Sequence, residues 1–216
     1  MPPNPPTHPA SVRGASREIT ALILAGGQSR RMGGLAKGRL PLRGKALIAH
    51  VIDRLAPQVP EVMISANGHD YDDLGLHIVA DVVSDEMSGR AGPLAGLHAG
   101  LIACESPWLV TAPCDAPYLP LDLVDRLALA RATSRHCRLF VAESPRGLEP
   151  AFLLCHVSLT DELAEWLTAG GRKAQAWLAA NSAQTVEFPE VHSFANINTP
   201  EDLANHAAIA IPERNR

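Results

Sequence analysis

Short apolar segments alternate with amphipathic segments along most of the chain, and this alternation constrains the fold more than any other feature. Segments that alternate in this way build a mostly parallel sheet with helices packed on both faces. The sequence therefore predicts an α/β fold. The predicted strands are residues 20–25, 61–66, 77–80, 108–112, 138–143, 151–156 and 184–188, and the predicted helices are residues 46–55, 93–104, 121–132, 158–168, 173–181 and a last one that opens at 199–202.

Length and composition indicate one globular domain. A chain of 216 residues, 46% of them hydrophobic and 19% charged, is long enough to bury a substantial core, and its composition excludes wholesale disorder. Residues 18–210 are predicted to form a single domain between two tails. The tails are residues 1–17, which are rich in proline, and residues 211–216.

Charge and cysteine content exclude several functional classes. The formal net charge of -4 argues against a general nucleic-acid binder, although it is compatible with a local basic pocket. The four cysteines contain no C-x-x-C pair, so we expect free thiols in a reducing cytosol rather than a zinc or redox site. No apolar stretch approaches the length of a membrane-spanning helix. A cytoplasmic protein that binds neither membrane nor nucleic acid is predicted.

The first predicted strand runs into a glycine-rich, basic loop, Leu22-Ile-Leu-Ala-Gly-Gly-Gln-Ser-Arg-Arg-Met-Gly33. Gly26 and Gly27 lack a Cβ atom, so the backbone there can turn tightly and bring its N–H groups close to an anion. Arg31 and, farther along, Lys37 add positive charge that suits nucleotide phosphates. The segment matches neither of the two common phosphate-loop patterns. It is equally compatible with a purely structural turn.

Acidic residues follow two other predicted strands. Asp81 and Asp115 come shortly after a strand, and ligands of parallel sheets bind outside the carboxyl ends of the strands. Asp115 stands between Pro113 and Pro117, which stiffen its loop, and a carboxylate there suits Mg²⁺ held against substrate phosphates. The structural alternative for Asp115 is a cap of the following helix. For Asp81, the alternatives are a turn cap and a contact with a base or ribose.

Two further segments lead into predicted helices. Gly92 and Gly96 either admit a ligand close to the backbone or allow a helix to pack closely on the sheet. At the last helix, Thr199 suits the N-cap, Pro200 the first turn and Asp202 the third position of a capping box. The spacing indicates neither a Ser-His-Asp nor a Cys-His arrangement. Chemistry based on stabilising phosphate charge is therefore favoured over a nucleophilic side chain.

Taken together, these segments resemble the signature of the molybdenum cofactor guanylyltransferases, the MobA family of nucleotidyltransferases. The glycine-rich segment is shared by many sugar and cofactor nucleotidyltransferases, and the later segments narrow the resemblance to this family. The similarity extends from about residue 19 to residue 208. The segments that carry it are Leu24-Ala-Gly-Gly-Gln-Ser-Arg-Arg-Met-Gly33, Lys37-Gly38, Leu42-Arg-Gly-Lys45, Gly92-Pro-Leu-Ala-Gly96, Pro113-Cys-Asp115 and Asn196-Ile-Asn-Thr-Pro-Glu-Asp-Leu203.

The resemblance implies a Rossmann-like nucleotidyltransferase fold and transfer of GMP from GTP to molybdenum-bound molybdopterin, with release of pyrophosphate. It implies Mg²⁺ (magnesium) as the metal. We expect a monomer whose partners include molybdoenzymes and their chaperones. The resemblance also assigns residue roles. The guanine and ribose would lie against Leu24, Ala25 and Gly26, and the nucleoside would also contact Asp81. The phosphates would be neutralised by Arg31 and Lys37, which would also take part in catalysis. Asp115 would bind Mg²⁺ and the nucleotide and take part in catalysis, whereas the acceptor side would carry Asn196 and Asn198.

Two positions depart from the family pattern, and three other functions compete with the guanylyl assignment. Ala36 precedes Lys37 where many relatives have an acidic residue or proline, and Ser65 stands where relatives often have an asparagine that contacts the nucleotide. Related enzymes that use CTP typically read Ala-Ala-Gly where this chain has Ala25-Gly-Gly27, and the additional glycine leaves room for a purine. A non-catalytic nucleotide-binding adaptor would need neither Lys37 nor Asp115. A sugar-1-phosphate nucleotidyltransferase is the weakest alternative.

Overall fold

The structure of the protein, a computed structural model, describes residues 16–26, 36–80 and 92–207. The predicted tails fall largely outside these residues and stay predictions. Within the described ranges, no helix combines the length and the apolar character that crossing a membrane requires. The strands are β1 (Ile19–Leu24), β2 (Pro41–Leu42), β3 (Lys45–Ala46), β4 (Glu61–Ser65), β5 (His77–Val79), β6 (Trp108–Pro113), β7 (Leu139–Ser144), β8 (Gly147–His156) and β9 (Gln184–Glu187), and the α-helices are α1 (Leu47–Leu55), α2 (Pro93–Ala103), α3 (Leu123–Thr133), α4 (Thr160–Thr168), α5 (Ala174–Ala180) and α6 (Pro200–Ala207).

Seven of the strands form one sheet that is parallel apart from a single strand. Its order is β5-β4-β1-β6-β8-β7-β9, and β8 runs antiparallel to both of its neighbours. β2 and β3 form a separate two-stranded hairpin, which the sequence pattern did not predict. The predicted α/β class and mostly parallel sheet are confirmed. Apolar periodicity carries no information on strand direction, so the pattern alone could not single out β8.

Predicted and observed elements agree to within two residues at their ends, with one exception. β8 starts at Gly147, four residues before its predicted start at residue 151. Gly147 has a φ of 112°, a left-handed value that favours glycine, and it closes a hairpin with β7. The first residues of β8 lack a clear apolar alternation, because Glu149 and Pro150 interrupt it. The strand was therefore predicted too short.

Alternate residues of β1 pack into two cores on opposite faces of the sheet. Ile19, Ala21 and Ile23 belong to the core that contains the apolar sides of α1 and α3. Leu22 belongs to the core formed with α2, α4 and α5. Successive side chains of a strand point to opposite faces, so this two-residue period identifies β1 as a central strand covered on both sides. Its carboxyl end lies between those of β4 and β6.

A close contact between a helix and the sheet at Gly100 gives a stability prediction. A Cβ atom at Gly100 of α2 would lie 2.4 Å from Cδ2 of Leu22 and 3.0 Å from Cδ2 of Leu109. Both leucines are fully buried, so Gly100→Val is expected to overpack the core and lower the free energy of unfolding by about 1–3 kcal/mol. Urea unfolding measures the change. Ile102→Val, at a position of the same helix that is 54% exposed, should change it by less than about 0.5 kcal/mol. Equal urea midpoints for Gly100→Val and Ile102→Val would contradict the close packing at Gly100.

Candidate functional site

Neighbouring parallel strands end at one edge of the sheet, and their carboxyl ends form the floor of the candidate site. β1 ends at Leu24 and β4 at Ser65, with β6 on the other side of β1. Hydrogen bonds extend the pairing past these ends. The N–H of Ala25 donates to the Ser65 carbonyl (2.8 Å), and the N–H of Cys114 donates to the Leu24 carbonyl (3.0 Å). The loop that carries Asp115 is therefore held directly beside the start of the glycine-rich loop.

Three segments that are distant in the sequence meet at the ammonium group of Lys37. Its Nζ atom forms an ion pair with Oδ2 of Asp115 and donates to Oδ1 of Asn198. The side chain of Lys37 is 20% exposed and that of Asp115 7%, so water screens the pair only in part. The structure thus brings together two predicted catalytic residues and one residue predicted on the acceptor side. The interpretation of Asp115 as a helix cap is wrong, because α3 begins only at Leu123, after Asp122.

The segment that carries the two predicted acceptor-side asparagines runs along the Asp115 loop. The N–H of Ile197 donates to the Asp115 carbonyl (3.0 Å), and the Ile197 side chain is fully buried. The structure brings Asn198 to Lys37 but does not bring Asn196 there. Asn196 is exposed, and it is not among the described groups that contact Lys37 or Asp115.

The backbone of Lys37 belongs to a 3-10 turn, Lys37–Arg39, that Arg39 and Tyr71 hold in place. The Arg39 guanidinium lies over the Tyr71 ring, 5.2 Å from its centroid. It also pairs with Asp73 and donates to the Asp70 carbonyl (2.7 Å). Sequence reasoning did not find either residue, because the partners of Arg39 lie 31 and 34 positions away and leave no local pattern.

Cys114 stands next to Asp115 but does not suit the role of a nucleophile. Its thiol is buried, and burial together with the Asp115 carboxylate raises the pKa of Cys114 to about 12. Burial likewise raises the pKa of Tyr71. Both groups therefore stay protonated at neutral pH, in agreement with the small buried cysteine expected from the sequence.

Gly38, in the middle of the turn, has no room for a side chain. A Cβ atom there would lie 2.8 Å from Oη of Tyr71 and 3.3 Å from Cβ of Cys114. Because Tyr71 is buried, Gly38→Ala is expected to displace the turn that carries Lys37. We expect a loss of about 1–3 kcal/mol in the free energy of unfolding, measured in urea, and a lower kcat. Gly38→Ala/Tyr71→Phe lacks the closest atom and should recover part of both losses, whereas no recovery would contradict the clash.

A cleft whose lining includes three glycines opens at the same edge of the sheet. Gly92 has a φ of 61°, a left-handed value, and Pro93 occupies the first helical position of α2. A Cβ atom at Gly96 would lie 2.5 Å from Oγ of Ser65, so α2 packs closely on β4 at this glycine. Close packing is therefore confirmed at Gly96, whereas a Cβ atom at Gly92 would meet nothing nearer than 4.0 Å, and the close approach of a ligand to either glycine stays a prediction. The lining residues are Leu24, Gly26, Ser65, Gly92, Pro93 and Gly96.

The residues predicted to bind the nucleotide divide into a described group and a group that is not described. Leu24 and Gly26 line the cleft, and Ala25 connects them. Arg31 and Asp81 lie outside the described residues, and the same holds for Gly27. The roles assigned to the residues of both groups stay predictions.

A metal ion at this site would depend on the substrate for most of its ligands. Among the described residues, no three His, Cys, Asp or Glu side chains gather closely enough to hold a metal by themselves. Mg²⁺ in phosphate-transferring sites is typically bound by one or two carboxylates together with substrate phosphates. Asp115, a nearly buried carboxylate at the end of a parallel strand, fits that mode of binding.

The sequence is similar to a family of nucleotide-using transferases. The sequence profile described as the MobA-like NTP transferase domain matches residues 21–186. The molybdenum cofactor guanylyltransferase of Cupriavidus pinatubonensis is 44% identical over 200 residues, which cover 90% of this chain and 98% of that protein. The molybdenum cofactor guanylyltransferase of Yersinia pseudotuberculosis is 42% identical over 187 residues, which cover 85% of this chain and 92% of that protein.

Solved structures share the architecture. Molybdopterin-guanine dinucleotide biosynthesis protein A of Archaeoglobus fulgidus matches with a TM-score of 0.66 and 25% identity, over 86% of this chain and 95% of that one. The 4-diphosphocytidyl-2C-methyl-D-erythritol synthase of Anaerococcus prevotii matches with a TM-score of 0.69 and 12% identity, over 93% of this chain and 98% of that one. The second likeness concerns the fold alone. Together with the sheet, these matches confirm the Rossmann-like nucleotidyltransferase fold.

Proposed function

This chain belongs to the MobA-like NTP transferase family, and from that premise we propose that it transfers GMP from GTP to molybdenum-bound molybdopterin. The products are molybdopterin guanine dinucleotide and pyrophosphate. The observation that supports this most is the meeting of Lys37, Asp115 and Asn198 at the sheet edge where the glycine-lined cleft opens. The name of the 44% identical relative supports the choice of a guanine nucleotide and of the molybdenum cofactor as acceptor.

The proposed reaction joins two anionic groups. An oxygen of the acceptor's terminal phosphate attacks the α-phosphorus of GTP. The bond between that phosphorus and the oxygen bridging to the β-phosphate breaks, and pyrophosphate leaves with the electron pair. The attacking oxygen is already anionic, so the reaction requires no strong general base. Catalysis then depends on aligning the two phosphates and balancing their charge.

Lys37 is proposed to balance this charge. An ammonium group has three N–H donors. The ammonium of Lys37 donates to Asp115 and to Asn198. These contacts orient the ammonium toward the sheet edge, where the phosphates would lie. Asp115 would hold Mg²⁺ jointly with the nucleotide phosphates, and the bound ion would supply further positive charge against the phosphate oxygens. Arg31 is proposed as a second cation of the protein.

The remaining roles follow the position of the cleft. Leu24, Ala25 and Gly26 are proposed to border the guanine and ribose, since Leu24 and Gly26 line the cleft and Ala25 lies between them in the chain. Asp81 is proposed to contact the nucleoside. Asn198, which contacts Lys37, is proposed to face the acceptor, and Asn196 is proposed to face it as well.

Nucleotide preference tests the proposal. Purified protein is supplied with Mg²⁺, molybdenum-loaded molybdopterin and one of GTP, CTP or ATP, and pyrophosphate and dinucleotide are measured. We expect GTP to support turnover and CTP to be at least about tenfold slower. A preference for CTP would contradict the guanylyl assignment. The absence of turnover with every nucleotide would instead favour the non-catalytic adaptor.

We also propose that the enzyme is a cytoplasmic monomer whose product passes to molybdoenzymes and their chaperones. The exposed large apolar residues of the described part lie on separate elements, and two of these elements, α2 and α3, pack on opposite faces of the sheet. These residues are Ile102 on α2, Leu129 on α3 and Val191 in the segment after β9.

A further inference from the structure

The segment of residues 195–203, here the C-terminal strap, fixes Asn198 from two sides. On the apolar side, the Ile197 side chain packs in a small core with Leu42, Leu47 and Tyr118. Leu203, in the first turns of α6, packs against the same core. These contacts attach both ends of the strap to the body of the protein. They leave the orientation of Asn198, which is exposed between them, to be set by polar contacts.

A capping box at the start of α6 supplies those polar contacts. Oδ2 of Asp202 accepts hydrogen bonds from the backbone N–H groups of Asn198 and Thr199, both at 2.9 Å. The Thr199 hydroxyl in return accepts from the N–H of Asp202 at 3.0 Å. The predicted capping box is therefore present. It includes one contact more than a helix cap requires, because Asn198 precedes the N-cap residue.

We propose that Asp202 is a positioning residue for the transfer reaction, and that it acts on Lys37 through Asn198. The Asp202 carboxylate fixes the peptide group of Asn198. The Asn198 carboxamide oxygen then accepts from the Lys37 ammonium, which Asp115 shares. The kinetic consequence rests on the proposed function, whereas the placement of Lys37 can be measured without any substrate.

A purely structural cap is the alternative role for Asp202, and a neighbouring residue separates the two. A cap stabilises its helix and has no effect on the surroundings of a lysine outside that helix. Glu201 is also an acidic residue in the first turn of α6, and it is exposed. Glu201→Ala removes the same charge from the same turn as Asp202→Ala, but leaves the hydrogen bond to Asn198 in place. It is the matched control.

Lysine NMR signals test the placement directly. The chain has three lysines, so protein labelled with ¹³C at lysine Cε gives three signals, and Lys37→Arg assigns that of Lys37. Asn198→Ala and Asp202→Ala are expected to shift the Lys37 signal in the same direction, and the double variant should shift it no further than Asn198→Ala. Glu201→Ala should leave it unchanged. A signal that moves with Asn198→Ala but not with Asp202→Ala would overturn the proposal.

Kinetics of the same variants provide the second readout. We expect kcat with GTP to fall about tenfold in Asp202→Ala, less than the roughly 100-fold that a misplacement of about 1 Å can cost. Asp202→Asn keeps an acceptor oxygen and should retain most of the activity. Asn198→Ala/Asp202→Ala should be no slower than Asn198→Ala, because both changes act on one contact. If the kcat losses of the two single variants multiply in the double variant, the proposal is overturned. If the unaltered protein does not turn over GTP, the proposed function fails, and the lysine signals alone decide the role of Asp202.

Discussion

Asp115→Asn is expected to lower kcat for GTP-dependent transfer by about 1,000-fold or more at saturating Mg²⁺, while the fold stays intact. The Asp115 carboxylate pairs with Lys37 and is suited to hold the metal, and asparagine has the same shape without the charge. A loss of about 1,000-fold corresponds to roughly 4 kcal/mol of transition-state stabilisation. The hydrogen bond from Ile197 to residue 115 uses the backbone carbonyl, so the substitution does not remove it. Steady-state kinetics and circular dichroism measure the two effects.

Asp53→Asn is the matched control for this substitution. Asp53 pairs with Lys45 at the surface, where the Asp53 side chain is 61% exposed. Such exposed pairs contribute about 0–1 kcal/mol to stability, and this one joins β3 to α1, outside the cleft lining and the contacts of Lys37. Its kcat should therefore match that of the unaltered protein. Retention of full Mg²⁺-dependent activity in Asp115→Asn would contradict the metal role of Asp115.

Lys37→Met is the second substitution with a large expected effect. Methionine keeps an unbranched apolar stem of similar length but loses the ammonium group that is proposed to balance the phosphate charge. We expect kcat to fall by about 100- to 1,000-fold, which corresponds to roughly 3–4 kcal/mol. Lys45→Met removes a lysine from the surface pair and should leave kcat unchanged.

The same substitution is expected to lower stability, and a double variant separates that effect from catalysis. Lys37→Met leaves the Asp115 carboxylate, which is 7% exposed, without its counter-ion. The cost should stay below the roughly 3–5 kcal/mol found for fully buried pairs, because the Lys37 side chain is 20% exposed and water reaches the site. Lys37→Met/Asp115→Asn removes both charges and should recover part of the stability in urea unfolding but none of the activity. Recovery of activity would contradict a direct role for either charge.

The sequence predicted the architecture well because the fold depends on local patterns. The apolar period of β1 and the proline and glycine signals at the start of α2 are local, and the elements that they indicate are present. The spacing of three residues between Thr199 and Asp202 likewise predicted their capping box, which is present. The family resemblance, which rests on local motifs, is confirmed by the 44% identical relative.

The arrangement of the site was less predictable because its contacts join distant segments. The Lys37–Asp115 pair spans 78 positions and the contact with Asn198 spans 161, so no local pattern records either. Sequence reasoning named these residues separately, through the motifs, and could not place them against one another. The support of the Lys37 turn by Arg39 and Tyr71 went unnoticed for the same reason.

The most direct test of the central claim follows labelled phosphate from GTP into the products. In the proposed reaction the acceptor attacks the α-phosphorus, so GTP labelled with ³²P at that position should give labelled dinucleotide in the presence of molybdenum-loaded molybdopterin. GTP labelled at the γ-phosphate should give labelled pyrophosphate and unlabelled dinucleotide. Transfer of the γ-label to the acceptor, or its release as inorganic phosphate without dinucleotide formation, would contradict guanylyl transfer by this protein.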